Sequence, residues 1–284
     1  MKTLLILLLS TASFAQQTFS VKDRSTDVPI AYTFIYNEDK TFKINAESDG
    51  TFQVPDDYLN DIFTFESVGY ELKHSKLETT IIFLEESSNL LDELVIIPKL
   101  NTKEIMVGNK IIKKYSDFVF AEENPFSVMI FGIKCNVNKD AYSNVKKIHL
   151  KTKSNINDAK FEIRIYGAGD DGKPSDLLHY EPIYGIAKKG VSTTIVDVHE
   201  LNIQIPSDDF FVFYKPLYIE KNSYMLKEHG IEKKYYYPNI LMSSVDSSFM
   251  WMGIKTKNEQ FWDSYHLKED GEYLNYQIEV FLTN

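Results

Sequence analysis

The stretch Lys160-Phe161-Glu162-Ile163-Arg164-Ile165 alternates strictly between charged and apolar side chains. A period of two residues belongs to the β-strand, whose successive side chains point to opposite faces of a sheet. The stretch therefore predicts a strand with one buried face and one wet face. The same alternation recurs at 148–151, 201–205 and 277–282, so strands are expected to dominate the chain.

Residues that favour chain reversals lie between these runs. They are Asp49-Gly50, the segments 169–174 and 206–209, Lys189-Gly190 and Asp270-Gly271. Short strands separated by such turns are typical of antiparallel sandwiches and barrels. The best helical candidate is 102–115, but Gly108 and several β-branched residues limit the expectation there to a turn or two of helix.

Composition narrows the class of protein. With 43% hydrophobic and 14% aromatic residues, 284 residues can form two cores. The net charge of −10 makes nucleic acid an unsuitable partner, because phosphate backbones repel an acidic chain. The single cysteine, Cys135, excludes an intramolecular disulfide.

The N-terminus has the three parts of a secretory signal. Lys2 supplies a positive charge, 4–9 is an apolar run, and Ser13-Phe14-Ala15 is a small-x-small cleavage site, so the mature chain is expected to begin near Gln16. No later stretch has the roughly 20 apolar residues that a membrane-spanning helix needs. Because the residue directly after the cleavage site is Gln16 and not a cysteine that could carry a lipid, we expect an exported periplasmic or outer-membrane-associated protein that is not a lipoprotein.

Five short motifs in the first hundred residues occur in a recognisable order. They are Phe19-Ser20-Val21-Lys22-Asp23, Val28-Pro29-Ile30-Ala31-Tyr32, Ser48-Asp49-Gly50-Thr51-Phe52, Val68-Gly69-Tyr70 and Leu91-Asp92-Glu93-Leu94-Val95-Ile96. On these motifs, residues 17–97 resemble the carboxypeptidase-like regulatory domain, a seven-stranded transthyretin-like sandwich found at the start of TonB-dependent receptors and other envelope proteins. The resemblance implies an accessory or spacer domain, not a catalytic one.

The resemblance and the turn pattern together divide the chain. We expect a signal peptide at 1–15, the carboxypeptidase-like regulatory domain at 16–98, a linker at 99–118 and a larger antiparallel sandwich at 119–284. The last part resembles uncharacterised envelope β-sandwich domains of jelly-roll texture. The predicted class is therefore all-β, with two successive sandwiches.

The candidate residues for catalysis or metal binding have simpler explanations. His229 and Glu232 have the spacing of a zinc pair, but a single such spacing is expected by chance in this composition. Cys135 shares the apolar parity of its strand and is interpreted as a core residue. We expect no catalytic residue and no cofactor. Asp170, Asp171 and Asp176 could offer oxygens to calcium, but a hairpin turn requires the same residues and is favoured.

Aromatic residues in the last fifty positions are the remaining binding candidates. Trp262, Tyr236 and Tyr265 could stack against sugar rings or a protein partner, although ordinary packing explains such residues more often. Three functions stay open: association with envelope or outer-membrane proteins, which we rank first, carbohydrate binding, and hydrolysis of a glycan or peptide by carboxylates that only the fold would bring together.

Overall fold

The computed structural model describes residues 16–87, 102–121, 129–255 and 260–284. The predicted signal peptide and the predicted strand at 91–96 lie outside these ranges. Within them the chain forms β-strands and short 3-10 turns and contains no α-helix, which confirms the all-β prediction. The described residues contain no helix with the length and apolar character needed to cross a bilayer.

The first sandwich consists of seven described strands. They are β1 (Gln16–Asp23), β2 (Phe34–Asn37), β3 (Lys43–Asn45), β4 (Thr51–Pro55), β5 (Phe63–Glu66), β6 (Lys73–Ser75) and β7 (Ile81–Leu84). One sheet has the order β4-β1-β7, with β7 parallel to β1, and the other has the order β3-β2-β5-β6. Their facing side chains, among them Phe19, Val21, Phe52 and Phe65, form one buried core.

The second sandwich contains sixteen further described strands. They are β8 (Glu104–Gly108), β9 (Ser116–Ala121), β10 (Ile130–Asn136), β11 (Asn144–Ser154), β12 (Ala159–Ala168), β13 (Pro174–Leu177), β14 (Ile183–Ala187), β15 (Gly190–Asp197), β16 (Asp209–Pro216), β17 (Ser223–Glu228), β18 (Ile231–Val245), β19 (Met250–Lys255), β20 (Gln260–Tyr265), β21 (Leu267–Glu269), β22 (Glu272–Tyr276) and β23 (Ile278–Thr283). The described strands form a seven-stranded sheet, β13-β12-β16-β10-β19-β20 with β14 on β12, and a nine-stranded sheet. The nine-stranded sheet has the order β21-β22-β18-β11-β23-β8, with β15 on β11 and with β9 and β17 on β18.

Residues 102–108 extend the second sandwich. Strand β8 pairs with β23, and Gly108 ends it at a φ of +93°, where a Cβ would lie 2.5 Å from the carbonyl oxygen of Ile278. Next to it, the Asn109 side chain donates to the carbonyl oxygens of Asn275 and Tyr276. A strand therefore replaces the turn or two of helix expected here, because this β-branched sequence completes the ladder of β23.

Strand β12 has the predicted buried apolar face, but its charged face is buried as well. Phe161, Ile163 and Ile165 point into the core between the seven-stranded and nine-stranded sheets, as predicted. The opposite face was predicted to be wet, yet Glu162 and Arg164 are only 4% and 6% exposed. The first sandwich covers this face, so the wet-face prediction was wrong.

The two sandwiches meet through the outer faces of two sheets. Phe34 and Tyr36 of β2 lie on the outside of the four-stranded sheet and share a buried cluster with Tyr218, which follows β16. The Nζ atom of Lys215 lies 4.6 Å from the centre of the Phe34 ring. The four described sheets therefore form successive layers, with the four-stranded sheet packed on the seven-stranded one.

Candidate functional site

Trp262, a predicted binding residue, is packed between other rings. It is 8% exposed, and its ring centre lies 4.9 Å from those of both Tyr166 and Phe213. Its indole also occupies the space above Gly253, where a Cβ would come within 2.1 Å of the ring. Trp262 thus belongs to an aromatic cluster on the outer face of the seven-stranded sheet.

The other two predicted rings lie elsewhere. Tyr236 is 2% exposed and packs edge-on against Tyr218, with 4.8 Å between the ring centres. Tyr265 is partly buried, and its hydroxyl lies 2.6 Å from that of Tyr276; burial raises the pKa of Tyr265 above its usual value. Because Trp262 and Tyr265 point to opposite faces of the sheet at β20, the three rings do not form one platform.

The predicted calcium residues surround a turn between β12 and β13. The Gly172 amide donates to the Gly169 carbonyl, and a carboxylate oxygen of Asp171 accepts from the backbone amide of Lys173 at 3.0 Å. Asp170 and Asp176 are exposed. Within the described ranges, no three His, Cys, Asp or Glu side chains are grouped so as to hold a metal ion.

The remaining candidates occupy unremarkable positions. Cys135 lies in the core of the second sandwich, where burial raises the pKa of its thiol well above the usual value. His229 is exposed in the turn between β17 and β18, at a φ of +50°. Glu232 follows it on an exposed part of β18.

Four buried charged residues form a network where the two sandwiches meet, which no local sequence pattern predicts. We call them the interface charge network: Glu66, Glu162, Arg164 and Lys215. The guanidinium of Arg164 contacts Glu66 at 2.6 Å and Glu162 at 2.5 Å, and the Nζ atom of Lys215 lies 3.4 Å from Glu66. All four residues are buried. Two cations and two anions thus balance one another where the sandwiches meet.

The pKa values of the two cations of this network shift in opposite directions. Burial lowers the pKa of Lys215, and the neighbouring Arg164 lowers it further against the opposing effect of the carboxylates. For Arg164, burial also favours the neutral form, but Glu162 and Glu66 outweigh it and raise the pKa of the guanidinium. Arg164, which contacts both carboxylates, is therefore the cation of the network that stays charged.

Hydrogen bonds between the sandwiches surround the network. The amide of Asn45 donates to the carbonyl oxygen of Tyr218, and the Asn45 side chain accepts from the Tyr218 amide at 2.8 Å. On another side, the Nζ atom of Lys160 donates to the hydroxyl of Tyr32 at 2.8 Å. These contacts fix the orientation of the first sandwich on the second.

A cleft of about 520 Å³ lies on the first sandwich, between strands β6 and β7. We call it the edge cleft. Its lining residues are Arg24, Lys73, Ser75, Lys76, Glu78, Thr79, Thr80, Ile81, Ile82 and Phe83. The cleft is open, and three of its side chains are cationic while one is a carboxylate. Its sequence signal, a lysine at the start of β6 and another directly after it, is too weak to predict a binding site.

Comparisons with known proteins give no family. No family model matches the chain, and no curated protein matches it. Among solved structures, a T13 IBDV viral particle has a TM-score of 0.29 at 8% identity, covering 95% of this chain and 62% of that one. A structure of the infectious bursal disease virus Gx strain has a TM-score of 0.27 at 8% identity, covering 94% of this chain and 64% of that one. The chain thus spans less than two thirds of either, and these scores are too low to relate the folds.

Proposed function

We propose that this chain is an exported, non-catalytic protein of a bacterial cell envelope, where it acts as a binding or structural accessory module through association with another protein. The proposal rests on the predicted secretory signal and on the resemblance of residues 17–97 to an accessory domain. It also accounts for the acidic charge of the chain and the absence of a cysteine that could carry a lipid. Its place would be the periplasm or an association with the outer membrane.

The structural observation that supports the proposal most is the packing of the first sandwich against the second. The ion pair of Glu66 with Arg164 and the two hydrogen bonds between Asn45 and Tyr218 form only in one relative orientation of the layers, so they specify that orientation. A module held in one orientation presents its open surface without an ordering cost when a partner binds. The edge cleft is the open surface that this arrangement presents.

The alternatives have less support. Carbohydrate binding was argued from Trp262, Tyr236 and Tyr265, and stacking on a sugar requires an exposed ring face. Trp262 and Tyr236 are only 8% and 2% exposed, so neither offers an open ring face. Hydrolysis was argued from acidic residues brought together by folding, and the buried carboxylates at the interface, Glu66 and Glu162, are engaged by Arg164.

Photo-crosslinking in the native cell envelope tests the proposal. A benzophenone amino acid replaces Thr80 at the edge cleft, and a matched variant carries it at Thr193, which is exposed on β15 of the second sandwich. We expect the Thr80 probe to give a discrete adduct that the Thr193 probe does not give. Mass spectrometry identifies the partner, and the purified partner must then bind purified residues 16–284. Absence of any adduct from either position would overturn the proposal.

Export is tested separately from association. The chain is expressed with its own N-terminus, and the N-terminal residue of the mature protein is determined by sequencing. We expect the mature protein outside the cytoplasm and beginning at Gln16. An uncleaved cytoplasmic chain would remove the envelope assignment whatever the crosslinking showed.

A further inference from the structure

We propose that the edge cleft binds an extended, acidic segment of a partner protein, which adds as a strand to the open edge of β7. This inference rests on the proposed function and names the chemistry of the partner. It combines three features of the cleft: a strand edge with which no described strand pairs, an excess of positive charge, and apolar side chains beside that edge.

The strand edge comes from the way β7 pairs. Strand β7 is parallel to β1, and the Thr80 and Leu84 carbonyls accept hydrogen bonds from the amides of β1 and Arg24. Backbone groups of successive residues point to opposite edges of a strand, so Ile81 and Phe83 direct theirs away from β1. In the described part of the chain, β7 ends the sheet order β4-β1-β7, and no strand pairs with this outer edge of Ile81–Leu84. The Ile81 carbonyl accepts a hydrogen bond from the Thr79 hydroxyl at 2.7 Å, so an added strand would pair through the Ile81 amide and the backbone groups of Phe83.

The second wall of the cleft is also a sheet edge. Strand β6 pairs with β5 and ends the described order β3-β2-β5-β6. The cleft therefore runs where both sheets of the sandwich end. Four residues of β7 correspond to about 13 Å of strand at 3.3 Å per residue. A cleft of about 520 Å³ lies within the ordinary range for ligand sites and suits a short extended segment.

The charge of the cleft selects an acidic partner. Arg24, Lys73 and Lys76 line it against the single carboxylate of Glu78, on a chain whose net charge is −10. Arg24 is 3.9 Å from Glu85, outside the lining, whereas neither Lys73 nor Lys76 has an ion-pair partner among the described residues. Cations on an open edge repel an identical edge, which disfavours pairing with a second copy and favours an acidic segment.

Apolar contacts complete the surface. The Ile81 side chain is 38% exposed beside the edge, and the Arg24 guanidinium lies over the Phe83 ring at 5.3 Å from its centre. Side chains of an added strand alternate between two directions. Lys73 pairs with Phe65, whose side chain points between the two sheets, whereas Ile81 and Phe83 point to the outer face of their sheet. A segment that alternates acidic and apolar residues could therefore meet Lys73 with one set and Ile81 with the other.

Peptide titration against purified residues 16–284 tests the inference. The probe is an acetylated peptide of alternating Glu and Val; one control alternates Lys and Val, and another carries N-methyl groups on alternate amides of the acidic peptide. We expect the acidic peptide alone to bind, because lysines would be repelled and methylated amides cannot complete a strand ladder. In calorimetry, the double variant Lys73→Glu/Lys76→Glu should bind it at least about tenfold more weakly.

A matched variant controls for the change in net charge. Lys188→Glu/Lys189→Glu makes the same charge change on the exposed turn between β14 and β15 of the second sandwich and should leave binding within about twofold of the parent. Equal loss in both double variants would overturn the inference in favour of long-range charge alone. Circular dichroism of both variants verifies that they fold.

Other outcomes have definite meanings. No binding of the acidic peptide, or equal binding of its N-methylated form, would overturn strand addition. Dimerisation through the cleft in sedimentation experiments, abolished by Lys73→Glu/Lys76→Glu, would replace the partner with a second copy. If no peptide binds but the Thr80 probe still crosslinks to another protein, strand addition is wrong and the proposed protein association stands. If the Thr80 probe also gives no crosslink, strand addition and protein association are both wrong.

Discussion

The guanidinium of Arg164, in the second sandwich, contacts the carboxylate of Glu66, in the first, at 2.6 Å, and both residues are under 9% exposed. Glu162, two residues before Arg164 on β12, holds the guanidinium from the other side. Since the two acids come from different sandwiches, Arg164 connects the layers. The charged residues of the stretch 160–165 thus serve as an interface between layers.

Removal of the Glu66 charge should destabilise the protein strongly. Glu66→Gln leaves Arg164 and Lys215 with one carboxylate between them in a buried site, and an uncompensated buried charge costs about 3 to 5 kcal/mol. Urea unfolding monitored by circular dichroism gives the change in the free energy of unfolding.

A surface pair provides the control for this variant. Glu85→Gln removes the exposed partner of Arg24 and should change the free energy of unfolding by less than about 1 kcal/mol. If Glu66→Gln and Glu85→Gln had equal effects, the interface charge network would not hold the two sandwiches together.

Alanine substitutions of Trp262 and of its neighbour Phe261 distinguish a packing role of the tryptophan from a surface-binding role. Trp262→Ala empties a site between Tyr166 and Phe213 and should cost about 3 to 5 kcal/mol of stability. Phe261→Ala, at a ring that is 51% exposed on the same strand, should cost much less. Chemical denaturation of both variants measures this. An unchanged stability of Trp262→Ala, together with lost retention on a polysaccharide, would restore the carbohydrate-binding hypothesis.

The sequence was sufficient for those features that depend on local pattern. Alternation placed Phe161, Ile163 and Ile165 in a core, and turn residues placed the reversal at 169–174. Burial of the opposite face of β12 depends on Glu66, about a hundred residues earlier, and no local pattern encodes that contact. Local sequence also does not predict which strands lie at the edge of a sheet. Lys73 and Lys76 can be assigned to an open edge only when the strand order is known.

Cys135 should be unreactive in the folded protein. It lies in the core with 2% exposure, and burial raises the pKa of its thiol, so the reactive thiolate is scarce at neutral pH. An excess of a thiol-reactive disulfide reagent should modify it only as fast as the protein unfolds. Labelling followed by absorbance in increasing urea should therefore track the unfolding transition. Rapid labelling without denaturant would contradict the buried position.

Asp23 should make stability depend on acidity. Its carboxylate accepts hydrogen bonds from the Ser25 hydroxyl at 2.7 Å and the Thr26 amide at 2.7 Å, and these bonds lower its pKa far below the usual 3.8. A depressed folded-state pKa means that the unfolded chain binds the proton first as the pH falls. The contribution of Asp23 is therefore complete above about pH 5 and is lost progressively below pH 4.

Asp23→Asn should remove that part of the acid dependence. Thermal midpoints of the parent and the variant, measured from pH 6 to pH 2, should differ most at pH 6 and converge as the parent carboxylate is protonated. Asp39→Asn provides a comparison, since the pKa of Asp39 is also lowered, chiefly by the Thr41 hydroxyl, in an exposed turn of the same sandwich. The difference between parent and variant should be smaller for Asp39→Asn, because Asp23 accepts from two residues that hold the turn after β1. A constant difference between the parent and Asp23→Asn across the whole range would show that the substitution acts through packing and not through the charge.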